Sequence, residues 1–135
     1  MDTGIVVDVE TTGLNPEVDE IIEIGVLEFV VEGGNPPAIT NMYGALEEPS
    51  QKLSLEIVEI TGLTDEVLQG RKIDWSTVRA MFERAELVVA HNAPFDRGFV
   101  TRRPELAGLS NHWACSAKHI DWQAKGFRSK ALNYL

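Results

Sequence analysis

The run Leu87-Val88-Val89-Ala90 constrains the fold most, because it is short, wholly apolar and soon followed by a helix signal. A continuous apolar stretch of this length is typical of a central β-strand covered on both faces. Pro94 then suits the first position of a helix that continues to about Arg103. A strand followed directly by a helix predicts an α/β domain.

Other strands are expected on either side of this run. A β-rich stretch at 4–10 is stopped by turn-forming residues at 11–16, and an apolar, β-branched stretch covers 21–31. An extended pattern resumes at 38–46. Strands that follow one another in this way are expected to pair as an antiparallel meander. A last short strand is expected at 112–115.

Three helices are expected between the meander and the apolar run. Segments 54–60 and 64–68 are predicted to be short helices, with Ser54 and Thr64 as N-caps. Asp74 would cap a longer helix, in which four apolar side chains recur at helical spacing: Trp75, Val78, Phe82 and Ala85. The end of the chain is expected to form helical fragments. With no repeat or linker, the whole chain, 1–135, is expected to be one domain.

Charge is distributed unevenly along the chain. The net charge is -9, yet residues 1–70 hold 15 acidic side chains and one basic one, whereas residues 71–135 hold 6 acidic and 11 basic. An acidic protein is not expected to hold nucleic acid by bulk attraction to phosphates. A polyanion should therefore approach the second half first. The acidic first half is explained either by a solubilising surface or by a cation site.

Cysteine content and hydropathy lead us to expect a soluble, cytoplasmic protein. Cys115 is the only cysteine, so the chain has no internal disulfide and cannot by itself build a structural zinc site. We expect it to be a small apolar strand residue. No apolar stretch is long enough to span a bilayer, and the first residues do not resemble a secretory signal. We therefore expect no membrane partner.

Two carboxylates lie two residues apart at the end of the first predicted strand, on Asp8 and Glu10. Side-chain alternation along a strand places both on the same face of a sheet. Two neighbouring anions repel each other unless a cation lies between them, and their hard oxygen atoms suit Mg²⁺ or Mn²⁺ better than zinc. Taken alone, the pair is more simply explained as solvated acids, so the surrounding motifs decide.

Three segments in order give the chain a resemblance to a known family. They are Val7-Asp8-Val9-Glu10-Thr11-Thr12-Gly13-Leu14, Ile60-Thr61-Gly62-Leu63-Thr64-Asp65-Glu66 and His91-Asn92-Ala93-Pro94-Phe95-Asp96. Together they closely resemble the DEDD family of 3'→5' exonucleases, in its proofreading-subunit (DEDDh) type. The first resembles the strand motif with two metal-binding acids, the second a substrate loop, and the third the motif that carries a third acid. Three matches in order are far more specific than one.

The resemblance implies both a fold and a reaction. The fold is ribonuclease-H-like: a mixed five-stranded sheet flanked by helices, with strands one to three antiparallel and the later two parallel to the first. The reaction is stepwise 3'→5' hydrolysis of single-stranded DNA or RNA ends to nucleoside monophosphates, using two divalent cations, Mg²⁺ or Mn²⁺. Asp8 and Glu10 would be shared between the ions, and Asp96, in the first turn of a helix, would bind one. A DNA polymerase is the partner that the resemblance suggests.

Further residues enter the expected site through the resemblance alone: Thr11, Thr12, Leu14, Gly62, Leu63, Asn92 and Phe95. The two threonines and Leu14 would offer backbone and hydroxyl contacts beside the scissile end. Phe95 resembles the position that packs on the terminal nucleotide, but a core aromatic paired with Phe99 explains it equally well. Asn92 would hold the strand end or the substrate, and a local capping bond is the competing explanation. Leu63 would either wedge near the base or simply pack.

The chain departs from the family pattern near its C-terminal end. The family carries His-x4-Asp there, in which histidine is the general base and aspartate the fourth acid. The one such spacing here is His91 and Asp96, which overlaps the third segment, and one aspartate cannot fill two places. Neither His112 nor His119 has an aspartate five residues later. Because 131–135 resembles the helix before the motif, we expect truncation, and losing the base usually lowers the rate by roughly 10²–10⁴-fold.

Two other functions remain open from the sequence. One is a haloacid-dehalogenase-type phosphatase with Asp8 as nucleophile, although its second acid is usually aspartate and the Asp96 segment has no place in it. The other is a catalytically incomplete exonuclease-fold module that binds a partner or nucleic acid. Three arginines after Asp96 either grip the substrate backbone or form a solvated helix face: Arg97, Arg102 and Arg103.

Histidine and tryptophan residues receive ordinary structural assignments from the sequence. His91 is expected to form a local bond at the end of its strand. Packing is the role assigned to Trp75, Trp113 and Trp122, so no base-stacking surface is predicted from them.

Overall fold

The computed structural model of the chain describes residues 2–119 and 125, which contain five strands, five α-helices and one 3-10 helix. In chain order the elements are β1 (Asp2–Thr11), β2 (Ile21–Val31), β3 (Ala38–Leu46), α1 (Leu55–Thr61), α2 (Asp65–Leu68), α3 (Trp75–Arg84), β4 (Leu87–Ala90), α4 (Ala93–Val100), a 3-10 helix (Pro104–Leu106), β5 (His112–Cys115) and α5 (Ser116–His119). Two predictions, the last helical fragments and the packing of Trp122, lie outside the described residues.

The five strands form one mixed sheet in the order β3-β2-β1-β4-β5. Strands β1, β2 and β3 pair antiparallel as a meander, whereas β4 pairs parallel to β1 and β5 pairs parallel to β4. This arrangement confirms the predicted α/β fold and its strand directions. Strand β1 lies in the centre of the sheet, between an antiparallel and a parallel neighbour, and it is longer at both ends than the predicted 4–10.

One face of the sheet carries the hydrophobic core. Helices α3 and α4 contribute buried side chains to the same cluster as the inward-facing residues of the strands: Ile5, Val7, Val9, Ile24, Val26, Val88 and Ala90. The prediction that β4 is covered on both faces is wrong for the part of the chain that the structure describes. Leu87 is 37% exposed, because the described helices pack against the opposite face of its strand.

The helix starts follow the predicted capping residues. The side-chain oxygens of Ser54 and Thr64 accept the N–H groups three residues later, and Asp74 accepts two N–H groups of α3. Helix α1 ends at Gly62, whose φ of 74° is the left-handed conformation that glycine adopts without steric cost. None of the described helices has the length and apolar character needed to cross a membrane.

Candidate active site

Asp8 and Glu10 project from β1 on the face opposite the hydrophobic core. Their neighbours on the core face, Val7 and Val9, are buried, whereas Asp8 is exposed and Glu10 is half-buried. The predicted placement of both acids on one face of the strand therefore agrees with the burial pattern. The carboxylates remain accessible to ions and ligands from solvent.

Glycines in the neighbouring strands leave room beside these acids. Gly25 of β2 is the cross-strand partner of Asp8, and Gly44 of β3 is in turn the partner of Gly25. With no side chain at either position, a cavity of about 300 Å³ extends along Asp8 and Glu10. Sequence reasoning missed this feature, although a glycine inside an otherwise β-branched strand is a signal for close approach of another group.

Asp96 reaches the same region from the first turn of α4. Strand β4 pairs with β1 only as far as Val6 and Val89, so the edge of β1 beyond that point has no neighbouring strand. Asp96 Oδ1 accepts the free N–H of Val9 there, at 3.1 Å. The carboxylate is only 4% exposed, and it lies where the carboxyl ends of two parallel strands separate from each other.

The three carboxylates influence one another electrostatically. Burial, with smaller contributions from the charges of Asp8 and Glu10, raises the pKa of Asp96 to about 7, although the Val9 N–H opposes the shift. Loss of hydration, followed by the charges of Asp8 and Glu23, raises the pKa of Glu10. Loss of hydration also raises the pKa of Asp8, which stays solvent-accessible, and the nearby His91 partly offsets it. The site is therefore short of positive charge.

The donor chemistry of this group fits a hard divalent cation. Its atoms are carboxylate oxygens. Burial and, in smaller part, the charges of neighbouring acids raise the pKa values of Glu10 and Asp96, and a bound cation would offset both effects. Among the residues that the structure describes, no three His, Cys, Asp or Glu side chains converge closely enough to enclose one ion. The assignment of Asp8, Glu10 and Asp96 as metal ligands therefore stays a prediction.

A second cavity, of about 520 Å³, opens beside Glu10. It is bounded by the loop after β1, by one face of α1 and by the ring of Phe95 on α4. The predicted residues Thr11, Thr12 and Leu14 line it, but Gly62 and Leu63 do not. Helix α1 contributes four residues instead, of which the first two lie outside the three sequence segments and were missed by sequence reasoning: Glu56, Ile57, Ile60 and Thr61.

The two threonine hydroxyls are used inside the loop. Thr11 Oγ1 donates to the carbonyl oxygen of Gly13 at 2.6 Å, and Thr12 Oγ1 donates to Asp19 Oδ1 at 3.3 Å. Thr12 Oγ1 also accepts the N–H of Glu20 at 2.9 Å. Each hydroxyl hydrogen is thus occupied inside the loop, and the contact of these two residues with a substrate stays a prediction.

Asn92 and Phe95 occupy different places at the start of α4. Asn92 is exposed, has a φ of 153° and makes no side-chain capping bond, so the local-cap explanation for this residue is wrong. Phe95 lies 5.1 Å, centroid to centroid, from Phe99 and packs on the core, and it also lines the larger cavity. The core pairing with Phe99 is therefore confirmed, and the contact of Phe95 with a terminal nucleotide stays a prediction.

Comparison with known proteins decides the family. The exonuclease family model of the RNase T type matches residues 5–116, which is most of the chain. This chain belongs to the exonuclease family. The matched region contains all three carboxylates and every residue described around the two cavities. The phosphatase interpretation is set aside, because the Asp96 segment lies within the matched family domain.

Relatives and solved structures agree with this membership of the exonuclease family. PolC-type DNA polymerase III of Thermotoga maritima is 36% identical over 132 residues, and that of Bacillus subtilis is 40% identical over 101 residues. The matches cover 96% and 73% of this chain but only 9% and 7% of those polymerases. Exonuclease X in complex with 5' overhanging duplex DNA is 25% identical, with a TM-score of 0.67, over 98% of this chain and 70% of that one.

Escherichia coli exonuclease I, solved with a dT13 oligonucleotide, shares the fold alone. Its TM-score is 0.73 at 14% identity, over all of this chain and 35% of that chain. Together with the strand order, these similarities establish a ribonuclease-H-like fold for this exonuclease-family chain.

Two of the three arginines near α4 lie over tryptophan rings. The guanidinium of Arg103 is 4.3 Å from the ring centroid of Trp75, and that of Arg97 is 5.9 Å from the ring centroid of Trp113. Arg102 forms an exposed ion pair, at 3.6 Å, with an acid of the loop after β1. Arg103 thus has a packing role, as do both tryptophans, in agreement with their sequence assignment.

His91 bonds at the end of its strand. Its Nδ1 lies 2.8 Å from Ser116 Oγ, at the start of α5, so the expected bond is formed with the end of the adjacent strand rather than with a sequence neighbour. The same histidine is close enough to Asp8 for its charge to lower the pKa of that acid. His91 therefore belongs to the electrostatic surroundings of the acids.

Proposed function

We propose that this chain is a 3'→5' exonuclease domain that removes nucleoside monophosphates from single-stranded DNA or RNA ends. The observation that carries the proposal is the placement of Asp8, Glu10 and Asp96 at one end of β1, next to a cavity of about 520 Å³. Membership of the exonuclease family supports hydrolysis of a phosphodiester. The 3'→5' direction and the preference for single strands rest on the resemblance of the three sequence segments.

Two divalent cations, Mg²⁺ or Mn²⁺, would activate the attacking water and stabilise the leaving 3' oxygen when bound. Asp8 and Glu10 would hold both ions, and Asp96 would hold one. The bond from Val9 holds the Asp96 carboxylate at the edge of β1, beside the strand that carries Asp8 and Glu10. The Gly25 and Gly44 backbones keep the approach to Asp8 open.

The larger cavity is the proposed place for the terminal nucleotide. Its size suits a small organic ligand, and its apolar wall consists of Ile57, Ile60 and Phe95. Apolar and aromatic side chains contact the face of any base, so this wall would bind without reading sequence. Glu10 lines both cavities, and this supports a cleavage site next to the proposed place of the terminal nucleotide.

A DNA polymerase is the proposed partner. The named relatives are PolC-type DNA polymerases, and this chain matches less than a tenth of their length. A hydrolytic domain beside a polymerase would remove terminal nucleotides from the strand being extended.

One observation favours a second candidate, a module of this fold that binds without hydrolysis. In the described part of the chain, no three potential ligands enclose an ion. A direct test uses two single-stranded oligonucleotides that differ only in a blocked or free 3' end, incubated with Mg²⁺. Release of nucleoside monophosphates from the free end alone supports the exonuclease, whereas binding of both without release supports the module.

A further inference from the structure

Asp19 joins the two sides of the loop between β1 and β2. Its carboxylate accepts a hydrogen bond from Thr12 Oγ1 at 3.3 Å and another from the N–H of Asn15 at 3.0 Å. In return, the N–H of Asp19 donates to the carbonyl oxygen of Asn15 at 2.8 Å. The Asp19 side chain is thus hydrogen-bonded to the loop at two residues, Thr12 and Asn15.

The same carboxylate lies against the backbone of Gly13. A Cβ atom at position 13 would be 2.4 Å from Asp19 Oδ2 and 2.6 Å from its Cγ, distances that real Cβ contacts do not show. Gly13 and Asp19 are therefore a matched pair, because the acid can occupy this position only where residue 13 has no side chain.

The loop that Asp19 holds is a wall of the larger cavity. Thr12, Gly13, Leu14 and Asn15 all line it, and Leu14 is 84% exposed. Within the described residues, the N–H groups of Gly13 and Leu14 donate no hydrogen bond. Their direction depends on the loop conformation, and that conformation depends on Asp19.

The charge of Asp19 excludes a direct role in holding phosphate. A carboxylate in a cavity wall repels a polyanion, and both of its oxygens already accept hydrogen bonds from the loop. A negative group in this wall weakens the attraction of nucleic acid. Any favourable effect of Asp19 on substrate binding must therefore come from the loop conformation that it stabilises. Fixing a binding loop in advance lowers the conformational entropy that binding would otherwise remove.

We propose that Asp19 is a positioning residue, which holds the loop 12–15 in the conformation that receives the terminal nucleotide. The proposal rests on the proposed exonuclease function of the neighbouring acids. It assigns Asp19 an effect on substrate binding and little effect on the chemical step, since the acid contacts none of Asp8, Glu10 and Asp96 through a hydrogen bond.

The test compares Asp19→Ala and the isosteric Asp19→Asn with a matched control, Glu17→Gln, which removes one charge from the same loop together with the exposed ion pair to Arg102. Exonuclease kinetics on a single-stranded oligonucleotide with Mg²⁺ give KM and kcat. Fluorescence anisotropy of the same oligonucleotide with Ca²⁺ gives Kd, and amide hydrogen exchange reports the Asn15 N–H. Thermal unfolding establishes that each variant is folded. If Asp19→Ala does not fold, Asp19→Asn replaces it as the test variant.

Asp19→Ala should raise KM and Kd roughly 10-fold, because the two hydrogen bonds that the charged side chain accepts from the loop are lost. The kcat should change by less than about 3-fold, and exchange at Asn15 should accelerate. Asp19→Asn should fall between wild type and Asp19→Ala, and Glu17→Gln should match wild type. Accelerated exchange with unchanged KM and Kd would overturn the proposal, as would a fall in kcat alone.

Failure of the proposal and failure of the proposed function give different results. If wild type neither binds nor shortens the oligonucleotide, the exonuclease function fails and the role of Asp19 fails with it. If wild type is active and Asp19→Ala equals it in KM and Kd, only the positioning role fails. Gly13→Ala gives an independent measure, because it should weaken binding in wild type but add little to Asp19→Ala. If the effects of Gly13→Ala and Asp19→Ala on Kd were fully additive, the two residues would not act as a matched pair.

Discussion

The backbone N–H of Val9 donates to Asp96 Oδ1 at 3.1 Å, and this bond ties the acid of a helix to the strand that carries the other two acids. The bond exists because β4 is short: its pairing with β1 ends at Val6 and Val89, which leaves the later N–H groups on that edge of β1 without a strand partner. A backbone N–H group that has no partner strand thus positions the Asp96 carboxylate.

Replacing Asp96 with asparagine should stabilise the metal-free protein at neutral and higher pH. The folded protein holds the Asp96 proton to about pH 7, against an ordinary value of 3.8 for aspartate. Stabilisation by the protonated acid is therefore complete below the ordinary pKa and is lost as the pH rises through about 7. Asparagine is neutral throughout and still accepts the Val9 N–H.

The expected gain in the free energy of unfolding for Asp96→Asn is ~2–4 kcal/mol near pH 8, falling towards zero near pH 4. Urea unfolding of both proteins in EDTA, at the two pH values, measures it. An asparagine variant that is less stable than wild type near pH 8 would show that the charged acid is not costly in the fold.

Asp8→Ala should abolish hydrolysis and leave the fold intact. Asp8 is exposed and its side chain supports no part of the core, so its removal should change stability by less than about 0.5 kcal/mol. Loss of a shared metal ligand should lower kcat/KM by at least roughly 100-fold, and Asp8→Ala should lack the rise in thermal stability that we expect Mn²⁺ to cause in wild type. Asp2→Ala, at the exposed far end of the same strand, is the control and should behave as wild type. Full Mg²⁺-dependent activity of Asp8→Ala would rule out the assigned site.

Phe95→Leu should weaken substrate binding, whereas Phe99→Leu should not. The two rings are packed together, but only Phe95 lines the larger cavity. Loss of an aromatic face against the terminal base should raise KM about 5- to 10-fold in Phe95→Leu. Both variants should lose about 1–2 kcal/mol of stability. Equal KM values in the two variants would mean that Phe95 acts only in the core.

Ile60→Ala should raise KM with little effect on stability. Ile60 is 69% exposed in the unbound chain and lines the cavity, so its apolar surface is buried only when a ligand binds. We expect KM to rise roughly 3- to 10-fold and stability to change by less than about 0.5 kcal/mol. Leu55→Ala is the matched control: it is 83% exposed on the same helix but does not line the cavity. An equal rise in KM for both would point to a general effect on α1.

Most of the sheet could be predicted because local signals agreed with each other. Apolar β-branched runs, the turn residues between them and the caps at Ser54, Thr64 and Asp74 all lead to the observed elements. Boundaries were less accurate: α4 ends at Val100 and not near Arg103, because no sequence signal marks where its last turn ends.

The larger cavity could be predicted only in part, because it depends on tertiary placement. Ile57 and Ile60 belong to a short helix whose apolar side chains indicate simple packing, and their place in a cavity follows from where α1 lies relative to Phe95. Likewise, Gly25 was visible as a strand glycine, but its position opposite Asp8 depends on the β1–β2 register. Asp19 gave no signal of its own, since an acid before a strand is usually a surface residue.

The central claim is tested most directly by incubating a 5'-labelled single-stranded oligonucleotide with the chain in Mn²⁺ or in EDTA. We expect a ladder of products shortened stepwise from the 3' end, formed in Mn²⁺ and absent in EDTA. An oligonucleotide that stays at full length in Mn²⁺, or one whose label is released from the 5' end, would contradict a 3'→5' exonuclease built on Asp8, Glu10 and Asp96.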